Sequence, residues 1–324
     1  MSETALKRII EKIKQAKTFL VSAHVGLEGD ALGAELAAYI LLKKLKKKVT
    51  VYNADFTPET YKFLPFNRVI KHKLGKQHFD VALILDCSDS SRTGKVEGRL
   101  KSADCLINID HHISNTYFGD LNWVEPKMSS ASQMVYQLCR KLKIMDKDIA
   151  LCLYTGIATD TGSFSYASTD YKTHQAISEL MKYNISPDII YRNLHSLCTL
   201  ADLGFVGKII SSLKIDTQRR ICWAVIKNWK DTEYDLGEII FSLMRLLKNI
   251  DALILFKRVS KNRTRVNFRS NAEIDVNKVA TFFGGGGHKR ASGTTIEKPI
   301  EVAEKKVIDF IKRKVSNPKV RNKK

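Results

Sequence analysis

The sequence of 324 residues contains no uninterrupted apolar run near the roughly 18 to 20 residues that a membrane span requires. Its opening segment, MSETALKRIIEKIK, carries charges where a secretory leader needs an apolar stretch. Both absences predict a soluble, cytoplasmic chain with no membrane partner. Cysteine is scarce and scattered: Cys87, Cys105, Cys139, Cys152, Cys198 and Cys222 include no Cys-x-x-Cys pair. Neither a zinc ribbon nor a disulfide framework is therefore signalled, and the thiols read as reduced core residues. No internal repeat is evident, which removes solenoids and propellers. Acidic residues are in the minority, 34 against 54 Lys and Arg, leaving a formal charge of +20. Such a balance suits polyanionic partners such as nucleotides or RNA, although charge alone serves solubility equally well.

What is present organises into two domains, since 44% hydrophobic content over this length supplies two separate cores. The first half alternates apolar runs with amphipathic stretches, the pattern of β-α-β units around a mostly parallel sheet. TFLVSAH, KVTVYN, VALILD and CLINID predict strands, and ALGAELAAYILLKKLKK predicts a helix beginning just after Asp30. SASQMVYQLCRKLKI and DIALCLYTGIAT predict further helices leading to Asp160. Beyond a helical connection placed at 191–214, RICWAVI, ALILFKRV and RTRVNFRS predict strands, GEIIFSLMRLL a helix, and FFGGGGHKRASG a glycine-rich turn. The expected fold class is α/β: a catalytic domain over 1–190 with a parallel sheet, and a smaller α/β substrate-binding domain over 215–318. A basic tail at 319–324 reads as solvated disorder.

Four separated segments place His and carboxylates at strand ends or helix starts: His24 to Asp30 with Glu28 between them, Asp86, Asp110-His111-His112, and Asp160. VALILD and CLINID each end in aspartate, so Asp86 and Asp110 emerge at the C-terminal edge of the sheet, where open α/β folds bind ligands. Singly, each residue has a plain reading: His24 as a core histidine, Asp30 as a helix N-cap, Asp160 as a turn residue. Together, imidazoles and carboxylates without thiolate suit hard or borderline divalent metals, and a bridging carboxylate would hold two ions about 3.5 to 4 Å apart for in-line attack on phosphorus. Asp86 is the candidate bridge. In the second half, the four glycines before His288, Lys289 and Arg290 let backbone amides approach a phosphate or base, though a lone glycine run is more often a flexible turn.

The motifs HVGLEGDALGA, LDCSDSSRTG, NIDHHISN and ATDTGSFSYAST, followed by RVNFRS and VATFFGGGGHKRASG, stand in the order found in one family. Nearly end to end, the sequence resembles the DHH phosphoesterase superfamily, specifically its nanoRNase and 3′-phosphoadenosine 5′-phosphate phosphatase branch. The resemblance implies one metal at His24, Glu28 and Asp86, and a second at Asp30, Asp86, His111 and Asp160. It places Asp86, Asp110 and His112 in the catalytic machinery, with Asp110 orienting a neighbouring histidine and His112 contacting the scissile phosphate or protonating the leaving oxygen. Arg269, Gly285, Gly286, Gly287, His288 and Arg290 would grip the substrate. Leu27, Glu28 and Ala34 stand where the family usually has proline, aspartate and serine, and the extra methylene of Glu28 moves its carboxylate by about 1.5 Å unless the backbone compensates.

The implied cofactors are two divalent ions, Mn2+ first, with Mg2+ or Co2+ as substitutes. The implied substrates are short single-stranded oligoribonucleotides, cut to nucleoside monophosphates, and 3′-phosphoadenosine 5′-phosphate, hydrolysed to AMP. Linear or cyclic dinucleotides remain an alternative within the enzyme class, and a catalytically impaired nucleotide-binding module remains one outside it. A homodimer is compatible with the sequence, which leaves the oligomeric state open.

Overall fold

Strand β4 (Val81–Leu85) sits deep in the first of two sheets because both of its faces are apolar. Val81, Leu83 and Leu85 enter one core cluster, while Ala82 and Ile84 enter another on the opposite face. That two-sided burial is what a continuous Val/Ile/Leu run predicts for a parallel strand covered by helices. The computed structural model describes residues 2–100, 103–230, 232, 234–271 and 274–314. The chain divides into two compact units, Met1–Leu197 and Cys198–Lys324.

The first unit runs α1 (Ser2–Gln15), β1 (Thr18–Ser22), α2 (Gly29–Lys44), β2 (Lys48–Tyr52), β3 (Ile70–Lys71), β4, α3 (Glu97–Leu100), β5 (Leu106–Asp110), β6 (Leu121–Val124), α4 (Ala131–Leu142), α5 (Lys147–Asp160), α6 (Tyr171–Met181) and α7 (Pro187–His195). Its sheet has the order β3-β2-β1-β4-β5-β6 and is parallel throughout. The order reverses between β1 and β4, which opens a crevice at their C-terminal ends. The short strands β3 and β6 were not anticipated, having too few residues to show an alternating pattern.

Helix α2 begins two residues earlier than its apolar pattern implies, because Glu28 caps it. The Glu28 carboxylate accepts from the backbone N–H of Asp30 (2.9 Å) and Ala31 (2.8 Å). This helix is buried almost all round, packed between β-sheet, α4 and α5. Close approach of α2 to α5 depends on two residues without side chains. A Cβ at Gly33 would lie 2.5 Å from the Cys152 carbonyl oxygen, and one at Gly156 would lie 2.0 Å from Ser132 Oγ and 3.0 Å from Asp30 Oδ1. Gly29 faces Thr159 and Gly33 faces Cys152, so the helices run antiparallel, and the start of α2 meets the end of α5.

The second unit contains α8 (Leu200–Ser211), β7 (Lys214–Asp216), β8 (Ile221–Ile226), α9 (Leu236–Met244), β9 (Ala252–Ser260), β10 (Arg263–Ser270), α10 (Val276–Phe282), β11 (Gly286–His288), β12 (Ala291–Ile296) and α11 (Ile300–Lys314). Its mixed sheet has the order β11-β12-β10-β9-β8-β7, with β8 and β9 parallel and the other pairs antiparallel. α8 and α9 pack over β8 and β9 on one face, and α10 and α11 pack against the other. The helical segment at 191–214 comprises the end of α7 in the first unit and α8 in the second. Part of the expected glycine turn is instead a strand: Gly286 and Gly287 pair with Gly293 and Ser292 in a hairpin. The basic tail at 319–324 lies outside the described residues. Gly156→Ala is expected to lower folding stability by about 1–3 kcal/mol, because an added methyl overpacks the α2–α4–α5 junction; urea unfolding monitored by circular dichroism measures this directly.

Candidate metal centre

The crevice where the first sheet's strand order reverses receives side chains from five elements. His24 follows β1, Asp86 follows β4, Asp110 ends β5 just before His111 and His112, Glu28 and Asp30 open α2, and Asp160 closes α5. Asp86 occupies the left-handed region, φ 52°, a conformation that costs a non-glycine residue about 1–3 kcal/mol and that Asp tolerates better than most. Its backbone N–H donates to the Ile109 carbonyl at 3.0 Å, tying this turn to β5. The turn is thus fixed by the same ladder that aligns the strands.

The Asp86 carboxylate lies between two imidazoles. Oδ2 is 3.4 Å from His24 Nε2, and Oδ1 is 3.4 Å from His111 Nε2 and 3.5 Å from His112 Nδ1. His111 Nε2 also lies 3.4 Å from Asp160 Oδ2 and 3.8 Å from Asp30 Oδ2, while His24 Nε2 lies 3.9 Å from Glu28 Oε1. His24 and His111 anchor their other nitrogens on the carbonyls of Val25 (2.8 Å) and Met128 (3.3 Å). Such outer contacts fix tautomer and ring orientation, leaving each Nε2 aimed into the crevice.

Asp30 is fully buried, and its two oxygens accept from the N–H groups of Ala131 (2.6 Å) and Ser132 (2.7 Å) at the start of α4. Burial, then the charges of Asp86 and Asp160, raise the Asp30 carboxyl well above its usual range and push Glu28 up to about 8. Burial likewise pushes Asp160 up to about 6, with His111 opposing and Asp86 adding. Despite its burial, the facing imidazoles of His111 and His24 hold Asp86 well below the usual carboxylate range. Against desolvation, Asp86 lifts His24 to about 9. A concentration of like-charged carboxylates that destabilise one another is relieved by cations placed among them.

The donor geometry fits that relief. In three groups, His24 with Glu28 and Asp86, Asp30 with His111 and Asp160, and Asp86 with His111 and His112, one ligand atom per residue lies within 4.8 Å of the others. Asp86 Oδ1 is buried and has no hydrogen-bond partner, the condition of a ligand atom awaiting a cation. The metal candidates His24, Glu28, Asp30, Asp86, His111 and Asp160 are therefore all brought to one crevice. Both Glu28 carboxylate oxygens also accept from the first amides of α2.

Asp110 is buried, and its Oδ1 lies 2.7 Å from His112 Nδ1. Despite that burial, His112 holds the Asp110 carboxyl below its usual range. Residues that the sequence reading passed over support this pair. Asn115 donates to Asp110 Oδ2 (2.6 Å) and Asn108 Oδ1 (2.8 Å), and Asn108 in turn donates to the Cys87 carbonyl (3.1 Å). Both lie within NIDHHISN, where an asparagine inside an otherwise apolar strand was the available signal. Glu35, a carboxyl buried in α2 and bonded to Asn53 (2.7 Å), was similarly visible as an acid in an apolar run.

The substrate candidates belong to the second unit. Arg269 on β10 pairs with Glu238 of α9, and its guanidinium lies 4.9 Å from the Phe241 ring centroid. Arg269 sits opposite Ala291, which in turn sits opposite His288, so β10, β12 and β11 bring these positions side by side. The side chain of His288 lies outside the described residues. Arg290 occupies the exposed hairpin turn, and its carbonyl accepts from Ser270 N–H at 2.9 Å. A Cβ at Gly285 would meet the Gly293 carbonyl oxygen at 2.2 Å, so Gly285 permits the two backbones to touch.

The DHH family, N-terminal domain, matches residues 18–157, and the DHHA1 domain matches residues 218–317. A probable bifunctional oligoribonuclease and PAP phosphatase NrnA from Streptococcus mutans is 30% identical, the alignment covering 90% of this chain and 93% of that one. The chain belongs to the DHH family. The crystal structure of an exopolyphosphatase-related protein from Bacteroides fragilis superposes with a TM-score of 0.89 at 25% identity, covering 96% of each chain. RecJ from Thermus thermophilus in complex with Mn2+ shares the fold, with a TM-score of 0.53 at 14% identity over 96% of this chain and 54% of that one. As a member of the DHH family, the chain is a metal-dependent phosphoesterase, and its His and carboxylate groups can hold the metal.

Asp86→Asn preserves the side chain's shape at φ 52° but removes its charge. It is expected to abolish the rise in melting temperature on adding Mn2+ and to cut turnover by about a hundredfold or more. Glu28→Gln should weaken Mn2+ binding by roughly 10–100-fold, whereas Glu28→Ala should in addition lose about 1 kcal/mol of stability as the α2 cap disappears; calorimetric titration paired with thermal melts separates these two roles.

Proposed function

We propose that this DHH phosphoesterase hydrolyses short oligoribonucleotides to nucleoside monophosphates and 3′-phosphoadenosine 5′-phosphate to AMP, using two divalent ions, with manganese preferred. The observation that carries this reading is the Asp86 carboxylate, with one oxygen facing His24 and the other facing His111. A carboxylate so placed would help hold one ion together with His24 and Glu28 and another together with Asp30, His111 and Asp160. The NrnA relative's name supplies the substrate class, and the basic composition accords with a polyanion. A cytoplasmic location goes with nucleotide substrates of this kind.

Bound metal supplies positive charge for the phosphoryl oxygens and lowers the pKa of the attacking water. The chain's own residues do the rest. Water oxygen bonds to phosphorus and gives one proton up to solvent as the phosphorus–ester oxygen bond breaks in line, and the departing oxygen takes a proton. His112 is assigned to hold that proton, because Asp110 at 2.7 Å from Nδ1 orients the ring. In the second unit, Arg269 is assigned to a substrate phosphate, exchanging Glu238 for the ligand, and the glycines at 285–287 keep side chains away from it. His288 and Arg290 complete the assigned grip.

Purified protein with Mn2+ is offered an RNA dinucleotide, a long RNA, 3′-phosphoadenosine 5′-phosphate and a cyclic dinucleotide in parallel. The expected result is release of nucleoside monophosphate from the dinucleotide and of AMP from the bisphosphate, abolished by EDTA and restored by Mn2+. Faster turnover of the long RNA or of the cyclic dinucleotide would overturn the substrate assignment, and tight nucleotide binding without any turnover would indicate an impaired binding module.

A further inference from the structure

The face of the second sheet that carries Arg269 also carries an amide oxygen with no hydrogen-bond partner. Along β10, Thr264, Val266, Phe268 and Ser270 are buried, while Arg265, Asn267 and Arg269 alternate on the opposite face. Successive residues on that face are about 6.7 Å apart. Asn267 Oδ1 is buried and has no hydrogen-bond partner. Its neighbours explain why: Leu255 stands beside it on β9 and Gly293 on β12, and neither side chain can donate. Arg265 turns away to Thr295 Oγ1 at 3.4 Å, and Arg269 turns to Glu238 and the Phe268 carbonyl. A buried acceptor left unmade is costly, and such atoms concentrate where a ligand supplies the missing donor.

We infer that Asn267 is a specificity-determining residue, its amide oxygen accepting a hydrogen bond from the nucleoside part of the substrate between phosphates held by Arg265 and Arg269. This inference rests on the nucleotide reading above and goes beyond it by naming the contact that distinguishes one nucleotide from another. The order cation, neutral acceptor, cation along one strand matches the order phosphate, nucleoside, phosphate in a bisphosphate or a short oligonucleotide. Ionised phosphate oxygens only accept, so the donor is a ribose hydroxyl or an exocyclic base amine. Room exists because position 293 is glycine: the Arg265 guanidinium lies across it, 2.7 Å from where a Cβ would stand. A phosphate that draws Arg265 off Gly293 would vacate the space beside Asn267 for the same ligand.

The test compares wild type, Asn267→Leu and Asn267→Asp as full-length proteins with Mn2+. Each receives 3′-phosphoadenosine 5′-phosphate, its 2′-deoxy counterpart, and the purine riboside bisphosphate that lacks the 6-amine. For the intact nucleotide, Asn267→Leu is expected to raise KM about tenfold with kcat nearly unchanged. That factor should shrink for whichever truncated nucleotide lacks the donor, which identifies it. Asn267→Asp keeps the acceptor and should keep the wild-type ranking of the three nucleotides. Should Asn267→Leu fail to fold by thermal melt, loss of that ranking in Asn267→Asp overturns the inference. An unchanged KM for all three in Asn267→Leu, or an equal rise for all three, also overturns it. If wild type turns over none of them, the proposed function fails; the same nucleotides, read as equilibrium binding in EDTA, then decide Asn267 separately by the same pattern.

Discussion

A carboxylate held between two imidazoles at the end of β4 is the constraint on which the first unit's architecture depends. Asp86 reaches both His24 and His111 because its backbone leaves the strand in a left-handed turn, bonded to Ile109 of the neighbouring strand. That turn needs β4 and β5 in register, and the register needs both strands buried on both faces. A slip of one residue would exchange the faces and carry the carboxylate away from both histidines.

The same region places Glu28, Asp30, Asp86 and Asp160 around two histidines, with Asp30 and Asp86 buried and Glu28 and Asp160 half-exposed. Backbone dipoles offset part of the repulsion. The first amides of α4 point at Asp30 and those of α2 at Glu28, so two helix N-termini face the most strained carboxylates. Each of these acids therefore serves its helix and the crevice together, and the fold cannot reposition one without disturbing the other. Close contact of α2 with α5 through Gly33 and Gly156 brings Asp160 into the same cluster.

Much of this was legible in the sequence. Strands written almost wholly in Val, Ile and Leu, each ending in aspartate, located the sheet and its reactive edge, because periodicity and burial are local properties. Helix α2 was also visible, although its true start was hidden: a glutamate is a less usual cap than Asp30, and only three-dimensional contact shows Asp30 capping α4, a hundred residues away. Strands β3, β6 and β7 were too short to carry a pattern. The hairpin after α10 read as a loop because its glycines have no intrinsic strand preference, and pairing with β12 alone makes them a strand. Asn108, Asn115 and Asn267 escaped notice for one shared reason, since the worth of an amide lies in what faces it.

Five of the six cysteines are buried, and Cys198 alone is partly exposed. It is also the first residue of the second unit. A thiol-selective fluorophore or spin label applied to the native protein would therefore settle at one position, the start of the second unit, with no engineered cysteine, and its signal would come from that unit alone.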